Sequence, residues 1–255
     1  MEFSNKTVII TGAGSGIGRA AALQFSQQGA KVVVVDINEA AAKETAMLIQ
    51  ENGGQAVSFV CNVMKKEEVE EMVEFAVNEF STVDVLVNNA GIGIKAGDFE
   101  EVSEEQLDRL IGVNVKGVYF GCQAVIPHMK KSGHGVIINT ASASGLRPRT
   151  GNVMYSTTKG AVITLTKALA IELAPFGIRV VGVNPVAVET NVLTQLMGEV
   201  GTESHRIRSE RMIQSIPLGR LALPDDIANA MVFLASNKAA LVTGSFIDVD
   251  GGRGI

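Results

Sequence analysis

The chain has 255 residues, 46% hydrophobic content and a formal net charge of −5. Its length suits one large α/β domain or two small ones, and it is long enough to bury a sizeable core. The acidic balance argues against a nucleic-acid partner, because proteins that bind the phosphate backbone usually need a basic surface.

The two cysteines, Cys61 and Cys122, form neither a CxxC pair nor a disulfide framework, which is typical of a reducing compartment. The N-terminus carries no signal-peptide pattern. No apolar run approaches the length of a membrane span. We therefore expect a soluble, cytoplasmic protein without a membrane partner.

Short runs of β-branched residues alternate with segments of helical period along the chain. Continuous Val and Ile runs are typical of strands buried on both faces, and hence of a parallel sheet covered by helices. The pattern predicts an α/β fold, a Rossmann-type doubly wound sheet of about seven parallel strands with helices on both faces. Strands are predicted at 6–11, 31–36, 55–60, 83–88, 135–140, 178–184 and 245–249, and helices at 16–28, 38–52, 65–79, 103–130, 152–174 and 224–236.

No linker or repeat divides the chain, so we expect a single dinucleotide-binding catalytic domain over residues 1–255. Residues 189–217 break the alternation of strands and helices, and long insertions in compact domains are often lids. This segment is predicted to be a substrate lid. It mixes apolar residues with arginines, namely Leu193, Leu196, Met197, Val200 and Met212 with Arg206, Arg208 and Arg211.

The first chemical motif is TGAGSGIG, from Thr11 to Gly18, between the first predicted strand and the first predicted helix. Gly12, Gly16 and Gly18 allow the backbone to approach a pyrophosphate, whose charge is favoured at a helix N-terminus. Glycines also mark ordinary tight turns, but the βαβ context favours a dinucleotide-binding turn.

Asp36 ends the second predicted strand, 18 residues after Gly18. A carboxylate at this point accepts hydrogen bonds from ribose hydroxyls and repels a 2′-phosphate. The neighbouring residues Ser15, Ile37 and Asn38 supply no cation that could bind such a phosphate. The sequence therefore predicts NAD(H) rather than NADP(H), and the alternative is an aspartate that caps the next helix.

Tyr155 and Lys159 stand one helical turn apart in the apolar, alanine-rich stretch MYSTTKGAVITLTKALA. A free tyrosine has a pKa of about 10 and is a poor base at neutral pH. A neighbouring ammonium stabilises the phenolate and lowers that pKa, so the pair predicts a general acid/base. The alternative is a tyrosine packed in a helix interface beside a lysine that extends to solvent.

Together these motifs resemble the short-chain dehydrogenase/reductase family almost from end to end. The matching segments are TGAGSGIG, NNAG at 88–91, Asn114 in IGVNVKG, Ser142 in NTASASG, the YxxxK pair and VDGG at 249–252. The resemblance implies that Tyr155 is the acid/base and that Ser142 orients the reacting oxygen. It also implies that Lys159 holds the nicotinamide ribose, and that Asn114 supports a water between Lys159 and solvent.

The resemblance further implies which residues contact the cofactor. These are Gly12, Ser15, Gly16, Ile17, Gly18, Asp36, Asn62, Val63, Asn89, Ala90, Gly91, Tyr155, Lys159, Val188 and Thr190. One departure is Pro185-Val186, where the family usually has a Pro-Gly pair. Valine is stiffer than glycine, so the details of nicotinamide binding are in question here.

The sequence thus predicts an NAD(H)-dependent oxidoreductase that transfers hydride between nicotinamide and a secondary alcohol or ketone. We expect a modest, mainly apolar substrate, because the lid arginines, Arg147 and Arg149 are interpreted as solvated and salt-bridged. Family members imply a homo-oligomer, a tetramer or dimer. The three histidines lack metal-ligand spacing, so no metal site is expected.

Two other functions stay open. A 3-oxoacyl-[acyl-carrier-protein] reductase has nearly the same motifs. Asp36 argues against it, because those reductases mostly use NADPH, and so does Ile171, where they tend to carry an arginine. A non-catalytic dinucleotide-binding regulator would fit the Val186 departure but not the intact set of catalytic residues.

Overall fold

A computed structural model describes residues 1–190, 192–193, 196 and 203–255 of the chain. All seven strands of the described chain are parallel and form one sheet in the order β3-β2-β1-β4-β5-β6-β7, which confirms the predicted doubly wound fold. The strands are β1 (Thr7–Thr11), β2 (Lys31–Asp36), β3 (Gln55–Val60), β4 (Val85–Asn88), β5 (Gly135–Thr140), β6 (Ile178–Pro185) and β7 (Phe246–Val249).

Each predicted helix is present within a few residues of its expected bounds. The α-helices are α1 (Gly16–Gln27), α2 (Glu39–Glu51), α3 (Lys66–Phe80), α4 (Glu104–Ile111), α5 (Gly117–Ser132), α6 (Ala143–Leu146), α7 (Val153–Leu173), α8 (Glu203–Gln214) and α9 (Pro224–Ala235). The pattern did not predict α6 or α8. It also treated α4 and α5 as one helix, whereas a π-turn over Gly112–Lys116 joins them.

The sheet is buried on both faces by alternating side chains. In β1, Val8 and Ile10 pack into the cluster that includes α1, α2 and α9. Ile9 points to the opposite cluster, formed with α3, α5 and α7. This period-two alternation within a continuous apolar run explains why helices cover both faces.

The strand order reverses between β1 and β4. The chain adds β2 and β3 on one side of β1 and then returns to place β4 on its other side. Loops that leave the carboxyl ends of these two strands diverge, which opens a crevice at that edge. The fold therefore places the glycine-rich turn after β1 beside the NNAG segment after β4.

One continuous helix, Glu104–Ser132, is long and apolar enough by composition to cross a membrane. This differs from the expectation that no segment approaches such a length, because the apolar stretch continues through the π-turn despite its charged ends. In the fold, α5 contributes buried residues such as Val125 and Met129 to the core.

Both cysteines are free and buried. Burial, reinforced by the charges of Glu68 and Glu71, raises the pKa of the Cys61 thiol to about 12. Burial likewise raises the pKa of Cys122 to about 12. The two side chains act as small core residues, in agreement with their spacing in the sequence.

A buried carboxylate ties the amino-terminal ends of β1, β4 and β5 together. Asp84 accepts hydrogen bonds from Lys6 Nζ at 2.9 Å, from the Thr7 N–H at 2.9 Å and from His134 Nε2 at 2.9 Å. Burial alone raises the pKa of Asp84, but these donors outweigh it and hold the pKa below its usual value. The charged form is therefore the one that the fold stabilises.

We expect Asp84→Asn to lower the free energy of unfolding by about 2 kcal/mol at pH 7, because several donors lose an ionised acceptor. Since the pKa of Asp84 is lowered by folding, its contribution is complete above the unfolded pKa of about 4 and disappears as pH falls below that value. Urea unfolding at pH 7 and near pH 3 measures both effects. Glu51→Gln, an exposed carboxylate at the end of α2, is the control. A difference between wild type and Asp84→Asn that stays constant over this range would contradict the assignment.

Candidate active site

The carboxyl edge of the sheet opens into one cleft of about 1300 Å³. Of the residues predicted to bind cofactor or to act in catalysis, all but Gly18 and Asn114 line it. Those that line it are Gly12, Ser15, Gly16, Ile17, Asp36, Asn62, Val63, Asn89, Ala90, Gly91, Ser142, Tyr155, Lys159, Val188 and Thr190.

The glycine-rich turn brings the backbone to the cleft wall. Gly12 and Gly16 have φ values of +66° and +52°, which favour glycine. A Cβ on Gly12 would lie 2.9 Å from Ala90 Cα, and one on Gly18 would lie 2.2 Å from the Gly12 carbonyl oxygen. Gly18 therefore serves close packing behind the turn rather than the cleft surface.

Ser15 is the N-cap of α1, but its side chain makes no capping hydrogen bond. The first backbone N–H groups of α1 are thus left without a side-chain acceptor at the cleft wall. A helix start of this kind can bind an anion such as a pyrophosphate. The Cβ-free surface of Gly12 and Gly16 is consistent with close approach of a dinucleotide.

Asp36 does not cap the helix that follows it. Its Oδ2 accepts from the Gly14 N–H at 2.9 Å and its Oδ1 from the Asn38 N–H at 2.9 Å. Asn38 is the N-cap of α2, accepting from the Ala41 N–H at 3.1 Å. Each Asp36 oxygen keeps a second lone pair, and the carboxylate is fixed at the cleft wall beside exposed Ile37.

Asn62 and Val63 follow the end of β3 and line the cleft. Asn62 Oδ1 accepts from the Met64 N–H at 3.1 Å, so the side chain orders the turn that leads to α3. Val63 is buried, and a Cβ on Gly117 would lie 2.9 Å from its Cγ2. Both residues present a partly apolar surface to the cleft.

Thr11 connects the two loops at the point where the strand order reverses. Its Oγ1 accepts from the N–H groups of Asn89 at 3.0 Å and Ala90 at 3.1 Å. The Asn89 amide donates in return to the Thr11 carbonyl at 3.0 Å. The side chain of Asn89 therefore holds the NNAG segment against the glycine-rich turn, and Asn89 also lines the cleft.

Tyr155 and Lys159 share one face of α7 and are both buried. Lys159 Nζ donates to the Thr140 carbonyl oxygen at 2.9 Å and lies 5.9 Å from the centre of the Tyr155 ring. Ser142 begins α6, and its hydroxyl accepts from the Ser144 N–H at 3.1 Å. The three side chains meet where β5 ends and α7 begins.

Burial dominates the proton affinities of this cluster. It raises the pKa of Tyr155, and a hydrogen bond with Ser142 acts in the opposite direction. Burial lowers the pKa of Lys159 to about 8. The expectation that Lys159 brings the tyrosine pKa below its free value is therefore wrong for the protein alone, because desolvation of the phenolate outweighs the effect of an ammonium directed at Thr140.

Asn114 lies behind the cleft, in the π-turn between α4 and α5. Its Oδ1 accepts from the Ile92 N–H at 2.9 Å, and its Nδ2 donates to the Ile92 carbonyl at 3.0 Å and to Thr158 Oγ1 at 3.2 Å. A Cβ on Gly91 would lie 3.5 Å from Lys159 Nζ and 3.4 Å from Asn114 Oδ1. The asparagine thus fixes the loop after β4 against α7, close to the lysine.

The backbone at Val186 adopts a conformation that does not require glycine. This residue is absent from the residues with positive φ, and its N–H donates to the Val249 carbonyl at 3.1 Å. Beyond it, Thr190 Oγ1 donates to the Val188 carbonyl at 3.2 Å. A Cβ on Gly16 would lie 2.9 Å from Thr190 Cγ2, so this strand extension closes against the glycine-rich turn.

The described part of the lid segment also reaches the cleft, through Val192, Leu193, Leu196, Arg211 and Met212. Met197 and Val200 lie outside the described residues, as does the side chain of Arg208. Arg253 and Asn152 line the cleft too. The sequence did not point to them, because only folding brings the end of the chain beside the loop that precedes α7.

Among the described residues, no group of three or more His, Cys, Asp or Glu side chains is arranged to hold a metal ion. The polar groups that line the cleft include hydroxyls, an amine, carboxamides, arginines and the carboxylates of Asp36 and α4. Such a set can bind anions, orient an oxygen atom and transfer a proton.

Comparison with known proteins identifies the family to which the chain belongs. The family model described as enoyl-(acyl carrier protein) reductase matches residues 12–253. 4-Formylbenzenesulfonate dehydrogenase of Comamonas testosteroni is 41% identical over 255 residues, 100% of each chain. A 3-ketoacyl-(acyl-carrier-protein) reductase from Brucella melitensis complexed with NADH is 46% identical, with a TM-score of 0.91 and 99% of each chain covered. An NAD⁺-bound xylitol dehydrogenase is 29% identical, with a TM-score of 0.92 over 99% of this chain and 100% of that one. With its matching motifs and sheet order, this chain belongs to the short-chain dehydrogenase/reductase family of oxidoreductases.

Proposed function

We propose that this chain is an NAD(H)-dependent oxidoreductase that interconverts a secondary alcohol and a ketone, with Tyr155 as the general acid/base. The observation that carries the proposal is the convergence of Tyr155, Ser142 and Lys159 on the cleft that the glycine-rich turn also lines. A proton-transferring phenol beside a dinucleotide-sized cleft suits hydride chemistry better than binding alone.

The residues of the cleft fit a dinucleotide. Gly12, Ser15, Gly16 and Ile17 would hold the pyrophosphate, since the turn leaves no Cβ in its way and the start of α1 faces it. Asp36 would accept the ribose hydroxyls with its remaining lone pairs and would repel a 2′-phosphate. The adenine would lie by Asn62 and Val63. Asn89, Ala90, Gly91, Val188, Thr190 and Lys159 would contact the rest of the cofactor. When bound, the nicotinamide supplies or accepts the hydride.

Tyr155 would donate its phenolic proton to the carbonyl oxygen during reduction and accept it back during oxidation. Burial keeps the phenol protonated at neutral pH, which is the form that carbonyl reduction requires. Ser142 would hydrogen-bond the same oxygen and fix its position. Lys159 has a pKa of about 8, so at pH 7 it is mostly cationic and stabilises negative charge on the phenol. Asn114 would act as a positioning residue for the Gly91 loop and α7.

A 3-oxoacyl-[acyl-carrier-protein] reductase is the second candidate. The related Brucella melitensis reductase forms a complex with NADH, so Asp36 does not separate the two functions. Ile171 does argue against this candidate, because it is 80% exposed where a cation for an acidic carrier protein would be expected. Turnover of an acyl-carrier-protein thioester compared with free ketones distinguishes them. The non-catalytic regulator has no support from the named relatives, which are dehydrogenases and reductases.

The same proposal includes a lid, an oligomer and a cellular location. Leu193, Leu196 and Met212 would form the apolar side of a substrate lid within 189–217, since they line the cleft. A homo-oligomer through α5 and α7 would cover Tyr119, which is exposed on α5. Cytoplasmic localisation stays a prediction that rests on the two free thiols.

Tyr155→Phe should reduce kcat at least about 1000-fold, because the phenylalanine keeps the packing but has no proton to transfer. Binding of NADH, measured by fluorescence, should stay within a few-fold of wild type. Tyr119→Phe changes the only other tyrosine of the chain and should leave kcat unaltered. A Tyr155→Phe enzyme that keeps a tenth of wild-type kcat would rule out the acid/base role.

Wild type should prefer NADH over NADPH by at least about tenfold in kcat/KM, because of the Asp36 charge. Asp36→Asn keeps an acceptor for the Gly14 N–H and removes the charge. Combined with Ile37→Arg, which adds a phosphate partner at an exposed position, it should shift the preference toward NADPH. Steady-state kinetics with both cofactors tests this, and Ile37→Arg alone is the control. Equal use of NADH and NADPH by wild type would contradict the Asp36 argument.

In the oxidation direction, kcat/KM should rise with pH as Tyr155 loses its proton. Because the Ser142 hydrogen bond lowers the pKa of Tyr155, Ser142→Ala should move this rise to higher pH in addition to slowing the reaction. Bound NAD⁺ adds positive charge that lowers the pKa of the phenol, so profiles of kcat/KM for the alcohol at saturating NAD⁺ from about pH 6 to 11 should reach the plateau that separates the two effects. Ser144→Ala, whose backbone rather than its side chain meets Ser142, is the control. A rise that stays in place, or moves to lower pH, would exclude this coupling.

A further inference from the structure

Four arginines line the cleft, and none of them is in an ion pair among the described residues; one, Arg109, lies on α4, which also carries the cleft carboxylates Glu104, Glu105 and Asp108. Of the other three, Arg149 lies on the loop between Ser142 and Tyr155, Arg211 lies on α8, and Arg253 follows β7. Three arginines outside the cleft are in ion pairs: Arg19 with Glu44, Arg206 with Glu210 and Arg220 with Asp226. The cleft arginines therefore differ from the surface arginines in what they offer a ligand.

Arg253 is the most constrained of the three. Its Nε is buried and has no hydrogen-bond partner. Burial and then the charge of Arg149 lower its pKa, while the Asp250 carboxylate raises it. Asp250 is not in ion-pair contact with it and instead accepts from the Gly252 N–H at 2.9 Å. Arg149 and Arg253 line the same two clefts, and two guanidinium groups that face one space are unfavourable unless an anion lies between them.

The position of this pair is next to the catalytic loop. A small cleft that adjoins the main one is lined by Ala143, Ser144, Arg147, Arg149, Arg253 and Gly254. No residue of the glycine-rich turn lines this small cleft. Its arginines therefore lie at the end of the main cleft near Ser142, away from the end where a pyrophosphate would bind. Asn152 also lines the main cleft, and its Oδ1 is buried without a partner.

The other charged groups of the cleft do not neutralise these arginines. Glu104, Glu105 and Asp108 line it from α4, together with Arg109, and none forms an ion pair with Arg149, Arg211 or Arg253 in the described structure. Asp36 is engaged by two backbone N–H groups. Lys159 donates to a backbone carbonyl. The guanidinium groups of Arg149, Arg211 and Arg253 are thus available to bind an anionic ligand near Ser142.

We propose that the substrate carries an anionic group, a carboxylate or a sulfonate, that Arg149 and Arg253 bind while its carbonyl lies at Tyr155. Arg211 completes the site from α8. Leu193, Leu196 and Met212 receive the apolar part of the substrate between its two polar ends. This inference rests on the proposed function and replaces the expectation of an uncharged substrate. That expectation treated Arg149 and the lid arginines as solvated and salt-bridged; Arg206 does pair with Glu210, whereas Arg149 and Arg211 are in no ion pair among the described residues and line the cleft.

Matched ketones test the inference with the intact enzyme and NADH. 4-Acetylbenzoate and 4-acetylbenzenesulfonate are anionic, and 4-acetylbenzamide is a neutral compound of similar shape. We expect kcat/KM to be about 30-fold higher for the anions, mainly through KM, because a charged hydrogen bond in a partly buried site favours them. This preference should shrink as KCl is raised from about 0.05 to 0.5 M.

Arg149→Met and Arg253→Met should each reduce kcat/KM for the anions at least about tenfold. Both should leave 4-acetylbenzamide and the KM for NADH within about twofold, since neither uses these cations. Arg253→Lys should restore part of the loss. Arg220→Met, whose partner is Asp226 outside the cleft, is the matched control. If an arginine variant does not fold, the salt dependence and the rise in Tm that 4-acetylbenzoate gives wild type with NADH carry the test.

The failures are distinguishable. If none of the ketones is reduced, the proposed function is wrong. Reduction of all three at similar kcat/KM, insensitive to salt and to the arginine variants, would overturn only the anion site. Reduction of an acyl-carrier-protein thioester in strong preference to every free ketone would overturn it too, because the arginines would then face a carrier rather than a small substrate.

Discussion

The hydroxyl of Thr11 joins two loops that leave neighbouring strands but are far apart in the sequence. It accepts hydrogen bonds from the N–H groups of Asn89 and Ala90. These bonds lie between β1 and β4, where the strand order of the sheet reverses. Without these hydrogen bonds, buried N–H groups of the NNAG segment would lack an acceptor, and the wall of the cleft would be unsupported. Gly91, which approaches Lys159 and Asn114, depends on this same connection. The glycine-rich turn and the catalytic helix are therefore parts of one hydrogen-bonded unit.

Tyr155, Ser142 and Lys159 lie in a low-dielectric environment that favours uncharged side chains. Desolvation moves the phenol of Tyr155 and the amine of Lys159 toward their neutral forms. The hydrogen bond to the Thr140 carbonyl fixes the ammonium of Lys159 near the Tyr155 ring at the cleft wall. Because the resting site keeps a protonated phenol, it is ready to donate a proton. Oxidation in contrast requires added positive charge, or a higher pH, before the phenol becomes a base.

Much of the fold follows from short-range patterns. The Val and Ile runs identify β1, β2, β5 and β6, because a strand covered on both faces needs apolar residues at every position. The glycine-rich turn, Asp36 and the Tyr155–Lys159 pair were also found from the sequence, since each depends on residues close together in the chain. The structure places them on one cleft, as strand topology requires.

Other features depend on contacts that no local pattern records. The pairing of Arg253 with Arg149 requires the end of the chain to return to the catalytic loop. Burial raises the pKa of Tyr155, and the spacing of YxxxK does not reveal how deeply the tyrosine is buried. The carboxamide of Asn114, within the π-turn, bonds to Ile92 and Thr158, which lie far from it in the sequence. In each case the deciding partner lies on another element.

The burial of Cys61 and Cys122 has a practical and a physiological consequence. With pKa values of about 12, both thiols remain protonated in the cell, and it is the thiolate that attacks electrophiles and peroxides. Neither native cysteine should give the folded enzyme a sensitivity to oxidants or alkylating agents. A cysteine introduced at an exposed position would then be the one reactive thiol of the chain, so a single fluorescent or spin label could follow motion over the cleft in the otherwise native sequence.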